Sequence, residues 1–537
     1  MKKSQIEQIL KMALDLNFYG KRLLTVKDRI AELIIESLEL EITSAKVRHI
    51  LEKNKPVKSA KAKAAKEELP PLVPTFKGTV TERDKGLTVL PCGRYIITSA
   101  QNNTELHSSF YELIAQAEQL DATLLVMPIK YTTTLEQREK KEPNFHADLK
   151  PYLLSENCFI GSRKGVRLCV TAAILPTAKQ PINTAKQLNT GEALTLVSSP
   201  KSQILTLPRP KGGDHRWLYT SKTATKRHYT DSRIGDESEA EHTFGAVYIE
   251  VLEDGTIEHF ELVAEEESGF IFNPKLHIGG VAGLVAGDLH CEKMDKNSFS
   301  RLLGQLEKYQ PNHLVTHDTL DMESRNHHNR NSGRFLYQMG TKKVIDDLGV
   351  AVDHLQRLAA LVPELFIVAS NHDDALSGWL DDPHYRADHD PLNSKTYHYL
   401  KYCIMDHIDN SEERLNVFDL ACRELSDQVG ELPGNITFGH LDQQFKINGV
   451  ECGQHGHNGS GGARGSARTF KGYQMPIITG HTHSPQKNGN QVTVGVTGSL
   501  EMGYNKGGSA WDRANALILE SGIILLVPVY KINEPQT

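Results

Sequence analysis

What this 537-residue sequence lacks narrows what it can be. It has no uninterrupted apolar run of about 18 residues, the length a membrane-crossing helix needs. Its N-terminus, Met1-Lys2-Lys3-Ser4, continues into a polar, amphipathic stretch without the apolar core of a signal peptide. No two cysteines have CxxC spacing. The seven (Cys92, Cys158, Cys169, Cys291, Cys403, Cys422, Cys452) are scattered and odd in number, which argues against a disulfide framework or a structural zinc site and for a reducing, cytoplasmic setting. There is no basic excess either: 61 Lys and Arg against 67 Asp and Glu leave a formal charge of −6. That is not the balance of a protein that coats DNA, so any nucleic-acid contact must come from local basic patches or bound metal. The length exceeds one ordinary domain and implies several.

Residues 1–52 read as a small helical domain. Ile6, Ile9, Leu10, Ala13 and Leu14, then Val26, Ile30, Leu33, Ile34 and Leu38, recur at helical spacing, and Thr43-Ser44 could cap a third helix carrying Lys46, Arg48 and His49. Two readings stay open, a helix-turn-helix or a bundle used for packing or self-association into a homo-oligomer. Residues 53–75 form a Lys- and Pro-rich linker that either holds phosphates without reading sequence or serves as a solvated tether. Residues 76–270 read as an α/β accessory domain, with strands at Arg94–Thr98 and Ala122–Pro128 around a helix at His107–Leu120. This order faintly resembles the nitrilase fold, but Met127-Pro128-Ile129-Lys130 has no acid where that family places its catalytic glutamate, and no such activity is inferred. Further on, Arg209, Lys211, Arg216, Lys222, Lys226 and Arg227 surround Trp217, Tyr219 and Tyr229. That interleaving suits stacking on single-stranded nucleic acid, or is an exposed loop.

Residues 277–530 carry the chemistry. Five short apolar runs each end in a cluster of metal-binding residue types. These are Asp288-Leu289-His290 after Val281–Ala286, and His317-Asp318-Thr319-Leu320-Asp321 after His313–Thr316. Ser370-Asn371-His372-Asp373 follows Leu365–Ala369, Gln454-His455-Gly456-His457 follows Gly449–Cys452, and Gly480-His481-Thr482-His483 follows Pro476–Thr479. Helical stretches at Ser298–Tyr309 and Phe335–Leu361 separate the first three. The alternation is that of an α/β sandwich, whose ligands gather at the C-terminal ends of strands. One His-x-His is usually a surface pair, but five ordered clusters are not.

This ordered set resembles the calcineurin-like metallophosphoesterase superfamily, whose pattern runs Asp-x-His, Gly-Asp-x-x-Asp, Gly-Asn-His-Asp/Glu, a lone His, and Gly-His-x-His. His317 and Ser370 stand where that pattern has glycine. The resemblance implies a β-sandwich flanked by helices. It further implies that Asp288, His290 and His483 hold one divalent ion, that Asn371, His455 and His481 hold a second, and that Asp318 bridges them. Both His455 and His457 fit the fourth motif; His455 is chosen because the family's ligand precedes a glycine. In the implied chemistry the two ions sit about 3.5–4 Å apart, clamp a phosphate and share a bridging hydroxide as nucleophile. His372 stabilises the charge or protonates the leaving oxygen, and Asp321 and Asp373 orient ligand imidazoles. Oxygen and nitrogen ligands favour Mn²⁺, with Fe, Zn, Mg, Co and Ni open.

The motifs name a reaction and not a substrate. The loop Arg325–Arg334, with Arg330 between, and the Gly-rich loop bearing Arg464 and Arg468 suit a phosphate backbone. The overall layout resembles the early, host-DNA-degrading metallophosphoesterases of tailed phages, and more distantly the Mre11-type nucleases, implying a metal-dependent DNase in a bacterial cytoplasm. The alternative is a phosphomonoesterase, or a small-molecule or cyclic-nucleotide phosphodiesterase, with a regulatory N-terminal half.

Overall fold

The computed structural model describes residues 88–131, 144–170, 174–325, 342–441, 443–459, 465, 467, 469–503 and 505–534. The expected helical domain 1–52, the linker 53–75, and Arg330, Arg334, Arg464 and Arg468 lie outside the described residues. The chain is mixed α/β. Among the described residues no helix is long and apolar enough to cross a membrane, and all seven cysteines are free thiols.

Successive strand residues point to opposite faces, and here both faces are apolar. In Glu364–Ile367, Leu365 and Ile367 enter one core, while Phe366 and the following Val368 enter another. Ala514–Leu519 divides the same way, with Leu517 and Leu519 on one side and Ala516 and Ile518 on the other. Such strands suit a sheet covered twice. They belong to a six-stranded sheet ordered Ile436–Phe438, Glu364–Ile367, His313–Thr316, Val281–Val285, Ala514–Leu519, Ile524–Pro528. The first four strands run parallel, and Ala514–Leu519 is antiparallel to both its neighbours.

Helices cover one face. Lys296–Tyr309 is started by Asp295, whose carboxylate accepts from the Ser298 amide at 2.8 Å, and is closed by left-handed Gln310. It buries Phe299, Leu302, Leu306 and Tyr309, a stripe at helical spacing. Val344–Ala359 packs into the same core through Leu348, Val352 and Leu355.

The other face meets an eleven-stranded sheet. Five of its strands come from residues 446–493. Gln486–Asn488 then pairs antiparallel with Gln203–Thr206, and the sheet continues through six strands of the accessory region. A four-stranded sheet (Ile257–Val263, Gly245–Val251, Gly93–Gln101, Thr123–Ile129) sends Tyr95, Ile97, Leu125 and Met127 into that same core. Its opposite face, with Ile96, Leu124 and Val126, packs on the helix Ser109–Gln119. The passage between residues 270 and 277 therefore marks no break: hydrogen-bonded sheet and apolar core run across it.

The junction also holds a buried charge cluster. Glu261 of the accessory region meets Lys487 of the C-terminal region at 2.5 Å and Lys222 at 3.0 Å, and all three are buried. Glu261 further accepts from the Leu526 amide, while Lys487 donates to the Ile524 carbonyl. Burial works to raise the Glu261 carboxyl, but Lys487 and Lys222 outweigh it and hold it at about 2.

Lys222 is one of the residues read as lining either a nucleic-acid surface or an exposed loop, and the structure corrects both readings for it, since it is buried. Trp217 and Tyr219 lie in the core. Lys226 pairs with Glu105, Arg227 with Glu266, Lys211 with Glu501 and Arg209 with Asp512. The strand here, Trp217–Thr220, is buried on both faces, and the cations lie outside it in the chain.

Removing the Glu261 charge leaves two buried ammonium groups without their partner. Glu261→Gln is expected to lower the unfolding free energy by about 3–5 kcal/mol at neutral pH, measured by urea denaturation. The folded carboxyl lies below its unfolded value of about 4.3, so the stabilisation is complete above that pH. The gap between wild type and variant should shrink as pH falls from about 4.3 to about 2.

Candidate metal centre

The sequence-predicted ligands meet where the strands of the two facing sheets end. Asp288 and His290 follow Val281–Val285, Asp318 follows His313–Thr316, and Asn371 and His372 follow Glu364–Ile367. From the opposing sheet, His455 follows Val450–Glu451, and His481 and His483 follow Ile477–Thr479. Two of the turns are zipped together: the amides of Leu289, His290 and Cys291 donate to the carbonyls of His317, Asp318 and Thr319 at 2.9, 2.7 and 3.0 Å.

These turns are strained. His290, Asp318, His481 and His483 all have positive φ, at 45°, 42°, 71° and 54°. Left-handed backbone at a non-glycine residue costs about 1–3 kcal/mol, and it clusters where surrounding structure forces it for function. The same observation explains the two missing glycines. The left-handed residue of the second motif is Asp318 itself, so His317 needs no special freedom. In the third motif Ser370 serves as a local cap: its hydroxyl donates to Asp373 at 2.8 Å and accepts from the Asp373 amide at 3.2 Å.

Asp318 Oδ2 is the focus. His455 Nε2 lies 3.2 Å from it, His290 Nε2 3.7 Å and His483 Nε2 4.0 Å, yet this buried oxygen accepts no hydrogen bond from the described residues. Asp288 Oδ1 is likewise buried without a donor, while Asp288 Oδ2 lies 3.0 Å from His483 Nε2. His290 Nε2 and His483 Nε2 face each other at 3.1 Å. Ligand atoms of Asp288, His290, Asp318 and His483 all lie within 4.8 Å of one another. Carboxylate oxygens without donors, converging with imidazole nitrogens that point at one another, fit a divalent cation. This buried group can hold a metal ion.

The remaining ligand candidates adjoin it. His455 Nε2 lies 3.1 Å from Asn371 Oδ1, so His455 faces both Asp318 and Asn371. The His457 ring stands 5.4 Å from that of His455, on the rim of the group. The His481 ring lies 5.2 Å from His455, and its amide donates to Asp288 Oδ2 at 2.8 Å.

Electrostatics bind the group together. Burial would raise Asp318, but His455 and His372 hold it well below the usual carboxylate range. Burial would lower His372, but Asp318 and Asp321 lift it to about 9. His455 and His483 are raised in the same way, while burial pushes His481 and His317 down to about 4. Asp321 Oδ1 faces Nδ1 of both His290 (3.2 Å) and His372 (3.4 Å), fixing the two rings with Nε2 directed elsewhere.

Asp373 is placed differently from the expectation that it orients an imidazole. Its Oδ1 accepts from the Leu320 amide at 2.7 Å, so it steadies the loop that carries Asp318. Glu292, which no motif points to, completes that clamp by accepting from the amides of Asp321 (2.7 Å) and Met322 (2.8 Å). Three consecutive amides are thereby held by two carboxyl groups. Trp511 was equally invisible in the sequence; its ring lies 4.2 Å from that of His483. Arg325 requires a correction. Expected to grip a phosphate chain, it is 2% exposed and pairs with Asp390 at 2.6 Å, so its charge is spent inside the fold.

No protein-family profile and no solved structure matches the chain. Protein A1 of Escherichia phage T5 is 36% identical to it over 543 residues, an alignment covering 96% of each chain.

Gly480 offers a direct test of the ligand geometry. A Cβ at this position would lie 2.1 Å from Asp288 Oδ1. Gly480→Ala should therefore push the carboxylate aside and weaken Mn²⁺ binding about 10–100-fold by isothermal titration calorimetry, with the circular dichroism spectrum unchanged. Unaltered affinity would remove Asp288 from the ligand set.

Proposed function

The chain belongs to the family of Protein A1 of Escherichia phage T5, and from that premise we propose that it is a metal-dependent nuclease that hydrolyses DNA phosphodiester bonds in the cytoplasm of an infected bacterium. The observation that carries this reading is the convergence of three imidazoles and a second carboxylate on Asp318 Oδ2, with His372 beside them. Two divalent ions at such a centre, Mn²⁺ by preference, would neutralise charge on a phosphodiester and supply an activated water. Asp288, His290 and His483 would hold one and Asn371, His455 and His481 the other, with Asp318 shared.

The chain's own groups do the rest. Without metal, Asp318 and Asp321 favour the charged form of His372. Asp321 engages Nδ1, so Nε2 is the atom that gives a proton to the departing oxygen. Asp373 and Glu292 keep the Asp318 loop from relaxing as charge develops.

A second reading, a phosphodiesterase or phosphomonoesterase for small substrates, gains from one observation. Arg325, expected to grip a phosphate chain, and Lys222, read as part of a nucleic-acid surface or an exposed loop, are both tied up in the fold.

Digestion of circular plasmid, linear duplex and single-stranded DNA with Mn²⁺, beside a small aryl phosphodiester, separates the two. Wild type should cut DNA, and His372→Ala should lose about 10²–10⁴-fold in rate while its Mn²⁺ affinity is retained. Cleavage of the aryl ester with DNA left intact would replace the nuclease reading with the second one.

A further inference from the structure

Beside the metal centre, between residues 208–217 and 499–513, lies a cavity of about 1070 Å³. Trp511 connects the two, since it lines the cavity and its ring lies 4.2 Å from that of His483. The segment that forms this wall starts at the site itself, where the Thr497 amide donates to the Asp288 carbonyl at 2.8 Å.

The lining is of mixed charge, with Arg209, Lys211, Arg513 and Lys531 set among Asp214, Asp295, Glu501, Asp512 and Glu534. Gly212, Gly503 and Gly507 border open space, where an added Cβ would meet nothing within 4 Å, so a ligand can approach the backbone closely. Arg209 reaches in from the accessory region with its side chain 10% exposed. Asp512 at 3.8 Å and His215 at 3.2 Å hold it in place, and its buried Nη1 has no hydrogen-bond partner among the described residues. Lys211 adds a second cation, 74% exposed and paired with Glu501. An indole, backbone open to close approach and flanking cations are what a sugar-phosphate strand and its bases require. The volume is at the upper end of small-ligand sites, which run to roughly 1000 Å³, and far exceeds the needs of a lone phosphate.

We propose that this cavity is a subsite for one or two unpaired nucleotides adjoining the phosphodiester at the metal centre, so that the enzyme acts on single strands or frayed ends. This rests on the nuclease reading. A paired duplex keeps its base faces stacked inside and offers Trp511 nothing to meet. An unpaired strand offers each base in turn, with its phosphates beside Arg209 and Lys211.

The test uses the full chain and a short oligothymidylate. In EDTA, where metal-dependent cutting is absent, the oligonucleotide should quench tryptophan fluorescence saturably. Trp379 is fully buried and does not line the cavity, and Trp217 lines it from the core at 2% exposure, so Trp511 is the main reporter and Trp511→Phe should remove most of the signal. Gly508→Leu narrows the cavity at a position where a Cβ makes only ordinary contact, 3.4 Å from the Arg209 carbonyl. Gly508→Leu, and Lys211→Ala as a second variant, should each weaken the quench and lower kcat/KM on single-stranded DNA, by about tenfold for the leucine. Hydrolysis of the aryl phosphodiester should stay within about twofold, since only polymer contacts are lost. The subsite is overturned if wild type shows no quench, if both variants match wild type on single strands, or if polymer and aryl ester fall together. If wild type cuts no DNA at all, it is the nuclease reading that fails.

Discussion

One buried oxygen organises this molecule. Asp318 Oδ2 has no hydrogen-bond donor among the described residues, yet three imidazole nitrogens lie within 4.0 Å of it. An ionised carboxylate so placed costs several kcal/mol unless positive charge answers it. In the absence of metal the carboxylates favour the charged forms of His372, His455 and His483, which is why these rings are raised despite their burial. A divalent cation answers the same demand more completely, and it competes with those protons for the site.

Much of the surrounding structure serves to keep that oxygen where it is. Four of the converging residues accept left-handed backbone, a cost repaid by zipped turns and by the clamp of Asp373 and Glu292 on consecutive loop amides. The parallel strands of one sheet deliver Asp288, Asp318 and Asn371, and the facing sheet delivers the histidines from 455 to 483. The sandwich is therefore a requirement of the site, because ligands from two sheets meet only if the sheets stay in register. Continuation of the larger sheet into the accessory region, pinned by Glu261 between Lys222 and Lys487, extends that rigidity to the walls of the neighbouring cavity.

The sequence made some of this legible and hid the rest for physical reasons. Apolar runs ending in Asp, Asn and His marked the residues that converge, because strand ends are where a sandwich concentrates polar groups. Gly480 was readable within its motif, although the reason it must be glycine, a carboxylate 2.1 Å from where its Cβ would be, was not. His317 and Ser370 looked like departures, since dihedral angles cannot be read from residue types. Arg325 misled because a cation's partner is set by tertiary structure: Asp390 lies 65 residues away in the chain. Trp217, Tyr219 and Lys222 misled similarly, since a buried strand flanked in the chain by paired cations gives the same interleaving as a nucleic-acid surface. Glu292 acts through backbone amides, which leave no sequence signature. The core shared by the accessory and C-terminal regions depends on long-range pairings such as Gln203–Thr206 with Gln486–Asn488, which no local pattern announces.

The most direct test of this arrangement is to look for the ions. Crystals of the full chain soaked in Mn²⁺, with data collected at the manganese absorption edge, should show two anomalous peaks about 3.5–4 Å apart, one on each side of Asp318 Oδ2. Crystals of Asp318→Asn should show both peaks weakened or gone. Strong peaks elsewhere in the molecule, or none between Asp288 and His455 at saturating Mn²⁺, would contradict the central role of that carboxylate.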